Sequence, residues 1–111
     1  MKVEGDAKLL RIFVGESEKF HKVPLYEKLV QEARKKSLAG ATVLKGVMGF
    51  GKHSIIQTSK ILALSEDLPM VIEIVDETKK IEEFIKVVDH LFVEGNCKGL
   101  ITVEKVHVIN Y

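Results

Sequence analysis

The chain has 111 residues, 46% hydrophobic and 30% charged, with a formal net charge of +1 at pH 7. That is the length of one domain with a surface-rich core, which burial by self-association would help, and its near-neutral balance provides no field to gather nucleic acid or an anionic membrane. Glu4 and Asp6 interrupt the amino terminus, no apolar run approaches the roughly 18 residues of a membrane helix, and the lone Cys97 allows no intrachain disulfide, so a cytoplasmic protein is expected.

Residues 1–7 are expected to be disordered or loosely held. Residues 8–16 alternate as a strand, with Leu10, Ile12 and Val14 on one face and Leu9, Arg11 and Phe13 on the other. Both faces are largely apolar, so both should be covered. Residues 15–23 read as a polar loop, after which Pro24 suits a first helical turn and Leu25, Leu29, Val30 and Ala33 form a stripe ending near Ser37. Gly40 breaks that helix and opens a second strand over 41–48. Residues 49–59 hold two glycines among polar residues and read as a loop, the best candidate for a mobile element, with extension as a hairpin closed by 61–64 left open. After a turn at 65–67, the near-continuous apolar run of 68–75 fits a central strand. Asp76 is placed to cap a second helix, marked by Ile81, Phe84, Ile85, Val88, Leu91 and Phe92, and a turn over 94–99 precedes a last strand over 100–109.

The order is βαββαβ, an α+β ferredoxin-like plait with two helices on one face of an antiparallel sheet, and 1–111 form a single domain. In the usual strand order 4-1-3-2, the central pair brings Arg11 beside Glu73. If Leu10, Ile12, Ile72 and Ile74 pack under the helices, the two charges lie on the helix-free face among Leu9, Phe13, Val71 and Val75. A paired, partly buried bridge under an oligomer interface explains them better than catalysis does.

Chemistry concentrates in two turns. Gly49, Phe50 and Gly51 offer backbone amides, and Lys52 and His53 side chains, to an anion; Gly95, Asn96, Cys97, Lys98 and Gly99 form a second glycine-and-lysine turn. At one end of a plait the two would grip a polyphosphate between them, and the plainer alternative is a pair of ordinary turns with solvated lysines. His21, His53, His90, His107 and Cys97 lack metal-ligand spacing, so a metal site would need distant parts or several chains. No Ser/His/Asp or paired-carboxylate set declares itself, and the glycines of 46–52 come without the arginine that acylphosphatases use on this fold, so no catalytic residue and no enzyme activity is expected.

Gly40-Ala41-Thr42-Val43, then Gly49-Phe50-Gly51-Lys52, then Leu68-Pro69-Met70-Val71-Ile72-Glu73-Ile74-Val75 resemble in order and spacing the nitrogen-regulatory PII signalling proteins. The chain is similar still more closely to a short PII-like family of unknown function, through the opening Leu10-Arg11-Ile12-Phe13-Val14-Gly15-Glu16-Ser17 and the helix start Pro24-Leu25-Tyr26-Glu27. The resemblance covers about residues 9–109. It implies a homotrimer that holds ATP or ADP as effector in clefts between subunits, with no cofactor required, and acts through 49–59 as a T-loop on an unknown target protein such as a transporter or enzyme. Residue by residue, it implies that Thr42 lies near the adenine, that Gly49, Phe50, Gly51 and Lys52 form the T-loop base, that Leu68 edges the pocket, and that Lys98 and Gly99 belong to the B-loop. Two departures stand out. PII proteins carry Gly-x-Gly-Lys in the B-loop where this chain has Asn96-Cys97-Lys98-Gly99, and their following arginines are replaced by His107 and Asn110 nearby. The loop is also shorter and lacks tyrosine, so regulation by tyrosine modification does not carry over. The competing readings are a ligand-free trimeric interaction module and a metal-binding trimer like the copper-tolerance protein CutA.

Overall fold

The computed structural model describes residues 5–51, 56–58 and 67–111. In chain order the elements are β1 (Gly5–Gly15), β2 (Lys19–Phe20), β3 (Val23–Pro24), α1 (Leu25–Lys35), β4 (Thr42–Lys45), β5 (Met48–Gly49), β6 (Gln57–Thr58), β7 (Pro69–Asp76), α2 (Thr78–Glu94) and β8 (Gly99–Val108). Four of the strands form one antiparallel sheet in the order β4-β7-β1-β8, which is the plait expected from the sequence, with its first and third long strands at the centre.

The strand period places Leu10, Ile12, Val14, Met70, Ile72 and Ile74 on one face, and all are buried. Leu25, Leu29 and Ala33 of α1 and Ile81, Phe84, Val88 and Leu91 of α2 meet them at helical spacing and complete the core. The opposite face carries no helix. Leu9, Phe13, Val71 and Val75 there are only half-buried, and Leu44 and Leu100 are exposed.

Several boundaries differ from the sequence expectation for identifiable reasons. Of the segment 1–7 expected to be disordered or loosely held, residues 1–4 lie outside the described residues, while 5–7 belong to β1 opposite Val108, His107 and Val106, with Ala7 buried. The second strand is not continuous over 41–48. Gly46 donates its amide to the Pro69 carbonyl at 2.7 Å, and a Cβ at Gly46 would lie 2.6 Å from the Pro69 ring, so the chain leaves β4 there and restarts as β5. Within the polar loop expected over 15–23, β2 and β3 form a small hairpin that sets Phe20 against the core.

Asp76 does not cap α2, whose N-cap is Glu77 without a side-chain bond. It is fully buried, and its two carboxylate oxygens accept the amides of Ala39 at 2.9 Å and Glu77 at 2.7 Å. Buried ionisable groups persist when their hydrogen bonds are made, and this one is tied to two backbone donors.

Candidate functional site

Strand register brings both candidate turns to the same end of the sheet. Lys45 faces Met70, Gly15 faces Pro69, and Val14 faces Gly99, so the end of β4, the starts of β7 and β8 and the end of β1 share one rim. The two turns nevertheless leave from opposite edges, β4 and β8, which are three strand spacings or about 14 Å apart.

At the first turn, 49–59 extends as a hairpin in part: β5 pairs with β6, Met48 opposite Thr58 and Gly49 opposite Gln57. Its closure by 61–64 lies outside the described residues, as do Lys52 and His53. A Cβ on Gly49 would meet the Pro69 ring at 3.1 Å, so packing against β7 already accounts for that glycine. Among the described residues nothing lies within 4 Å of where a Gly51 Cβ would stand, and Phe50 is 67% exposed. Leu68 is buried and gives its carbonyl to the Glu16 amide at 2.9 Å, so its side chain faces the core rather than a pocket within the chain. Thr42 is exposed on the edge strand, opposite Glu73 on the helix-free face.

The second turn is the C-terminus of α2. Gly95 is the C-cap, Asn96 has φ of 50°, the Asn96 amide bonds Val93 O at 3.2 Å and the Cys97 amide bonds Phe92 O at 2.9 Å, which together make a Schellman closure with asparagine in the left-handed position. The Lys98 amide donates to Glu18 Oε1 at 3.0 Å. Gly99 is required by packing, because a Cβ there would sit 2.4 Å from the Phe13 carbonyl and 2.9 Å from the Phe92 ring. While Glu18 holds the Lys98 amide, what the turn has left to offer an anion is the exposed Lys98 side chain, which must offset the negative end of the α2 dipole.

Acids are as prominent as bases on this rim. Asp67 Oδ1 accepts the Ser17 amide at 2.8 Å and sits where a Gly15 side chain would be, and Glu16 pairs with Lys45 at 2.9 Å. The Cys97 thiol donates to the Lys19 carbonyl at 3.1 Å, and burial, reinforced by the charge of Glu18, pushes its pKa up. His21 and His90 each approach the Glu94 carboxylate at 3.3 Å, yet among the described residues no three His, Cys, Asp or Glu side chains are grouped to hold a metal ion.

On the helix-free face Arg11 and Glu73 are register partners, as the central pairing required, with Arg11 Nε donating to Glu73 Oε2 at 2.8 Å. The sequence reading missed Glu104. It accepts from the other arm of the guanidinium across β8, and bonding to Glu73 and then to Glu104 raises the Arg11 pKa above its ordinary value.

The model of the DUF190 family, described as Uncharacterized ACR, matches residues 7–108. The chain belongs to the DUF190 family. A UPF0166 protein of Aquifex aeolicus is 42% identical over 102 residues, 92% of each chain, and one of Methanocaldococcus jannaschii is 35% identical over 103 residues, 92% of this chain and 91% of the relative. Among solved structures this DUF190 chain is similar to CPII, a nitrogen regulatory PII-like protein from Thiomonas intermedia K12 bound to ADP, AMP and bicarbonate. The TM-score is 0.69 at 17% identity, covering 93% of this chain and 88% of that one. It is also similar to GlnK of B. subtilis, with a TM-score of 0.56 at 15% identity over 91% and 85% of the two chains. The DUF190 chain therefore has the PII-like fold. Among its described residues no helix is long and apolar enough to cross a membrane.

Proposed function

We propose that this DUF190 protein is a PII-like regulator that forms a homotrimer, takes ATP, ADP or a similar anionic effector in clefts between subunits, and relays its binding through residues 49–59. The observation that carries this reading is the placement of the two turns, at one end of the sheet but on opposite edges. In the proposed trimer a neighbouring copy sets its 49–52 turn against the 96–99 turn of the first, so that each cleft draws on both. The fold it shares with CPII, which is described as bound to ADP and AMP, supports the ligand class. Thr42, Gly49, Phe50, Gly51, Lys52, Leu68, Lys98 and Gly99 are the proposed contacts. Lys98 contributes its ammonium, and the buried Leu68 contributes backbone shape. No covalent chemistry is proposed.

Calorimetric titration with ATP, ADP and cyclic nucleotides tests the reading, and absence of binding to all of them would sink it. Gly51→Val should abolish nucleotide binding and leave assembly intact, since none of the described residues lies within 4 Å of the added Cβ. Lys52→Ala should weaken ATP by about 1.5 to 3 kcal/mol while leaving adenosine unaffected, because only the phosphates use a charge-assisted bond.

One observation favours a second reading, in which the protein is a docking module without ligand. Val47, Met48, Phe50 and Ile56, flanking or within the hairpin, are 54% to 71% exposed, an apolar surface suited to a protein target. Binding of nucleotide by the parent protein decides between them.

A further inference from the structure

Glu18 reaches across from the connection after β1 to place Oε1 on the Lys98 amide at 3.0 Å, spanning 80 positions of sequence. A carboxylate oxygen on a backbone amide makes the contact that a phosphate oxygen would make at the same donor. The neighbouring amides of Asn96 and Cys97 are consumed in closing α2, so the donor occupied by Glu18 is the one the turn directs away from the helix. The backbone behind the carboxylate is braced: the Glu18 carbonyl accepts the Leu25 amide at 2.8 Å, the Glu18 amide donates to the Gly15 carbonyl at 3.2 Å, and the Cys97 thiol clasps Lys19. The side chain itself bonds at the surface, so it can swing aside without unfolding that brace.

Resting on the nucleotide reading above, we propose that Glu18 is an internal competitor for the anion at the 96–99 turn. A bound phosphate displaces its carboxylate from the Lys98 amide, and Glu18 thereby sets the protein's preference between phosphorylated and unphosphorylated ligands. A site available only when the competitor is away binds with an apparent affinity reduced by the fraction of time it is free.

The test is calorimetric titration of the parent, Glu18→Ala and Asp67→Asn with ATP, inorganic tripolyphosphate and adenosine. Glu18→Ala should bind ATP and tripolyphosphate about tenfold tighter, the factor for a contact made roughly nine-tenths of the time, with adenosine unchanged. Asp67→Asn removes one charge from the same rim but leaves the turn occupied, since Asp67 sits on the Ser17 amide, and should change little. If Glu18→Ala loosens the segment around residues 15–20, Glu18→Gln, which keeps the shape and drops the charge, should shift affinity in the same direction. Equal tightening by Asp67→Asn would assign the effect to net charge and overturn the proposal. ATP binding by the parent that is unchanged or weaker in Glu18→Ala and Glu18→Gln overturns the competitor and leaves the nucleotide reading standing. Failure of the parent and both Glu18 variants to bind either phosphate ligand overturns the nucleotide reading and the competitor together.

Discussion

Arg11 sits between two carboxylates, one on each neighbouring strand, with its side chain 36% exposed and that of Glu73 30% exposed. Truncating the arginine leaves two acids facing each other, whereas replacing all three residues removes the conflict. Thermal unfolding of Arg11→Leu should therefore show a lower Tm than the triple variant Arg11→Leu/Glu73→Leu/Glu104→Leu, and equal losses would argue against coupling. The Arg11 to Glu73 pairing was legible because alternation and the plait's central pair fix it. Glu104 was not, since its position depends on the β8 register, which a single-residue slip would reverse. Cys97 supplies a pH prediction. Its folded pKa is raised, so the folded state keeps the thiol proton more tightly than the unfolded chain does. The corresponding stability is fully present below the ordinary thiol pKa and declines as pH rises from there through the folded value. Chemical denaturation should thus show the parent losing more stability than Cys97→Ser over that alkaline range, and maleimide should label native Cys97 more slowly than a free thiol.

Both helices end in the same way. Ser37 and Asn96 take φ of 59° and 50°, and the amides that follow close back onto the last turn. A Cβ without a polar side chain is disfavoured there, so Asn96→Ala should cost about 1 kcal/mol and Asn96→Gly little or nothing, measured by urea unfolding. Gly99→Ala is a harsher test. Its Cβ would strike a backbone carbonyl of β1, and overpacking of this kind costs about 1 to 3 kcal/mol. The long amphipathic elements were readable from period alone, whereas β2 and β3, of 2 residues each, leave no period to read. The glycines of the two turns illustrate the harder limit. Sequence marks Gly49 and Gly99 as special positions, but only coordinates show that a side chain there would run into Pro69 in the one case and into Phe13 and Phe92 in the other.

At the scale of the whole molecule, the helices cover one sheet face and leave the other apolar around its ion cluster. Burying that face against other copies is the expected resolution, and light scattering at micromolar concentration should return a trimer, with a stable monomer counting against it. The common end of the two turns was legible from the strand order. Their separation onto opposite edges was recoverable from the same order once sheet width was considered.

The buried Asp76 has a consequence for how the fold comes apart. Ala39 is exposed and lies in the connection after α1, yet its amide is held by a carboxylate within the second half of the plait. Separating the halves would strand that carboxylate in the core, a penalty that makes local opening there nearly as costly as losing the structure altogether. In hydrogen-exchange measurements the Ala39 amide should accordingly behave as a sentinel of global unfolding, exchanging as slowly as the central strands despite its place in a surface turn.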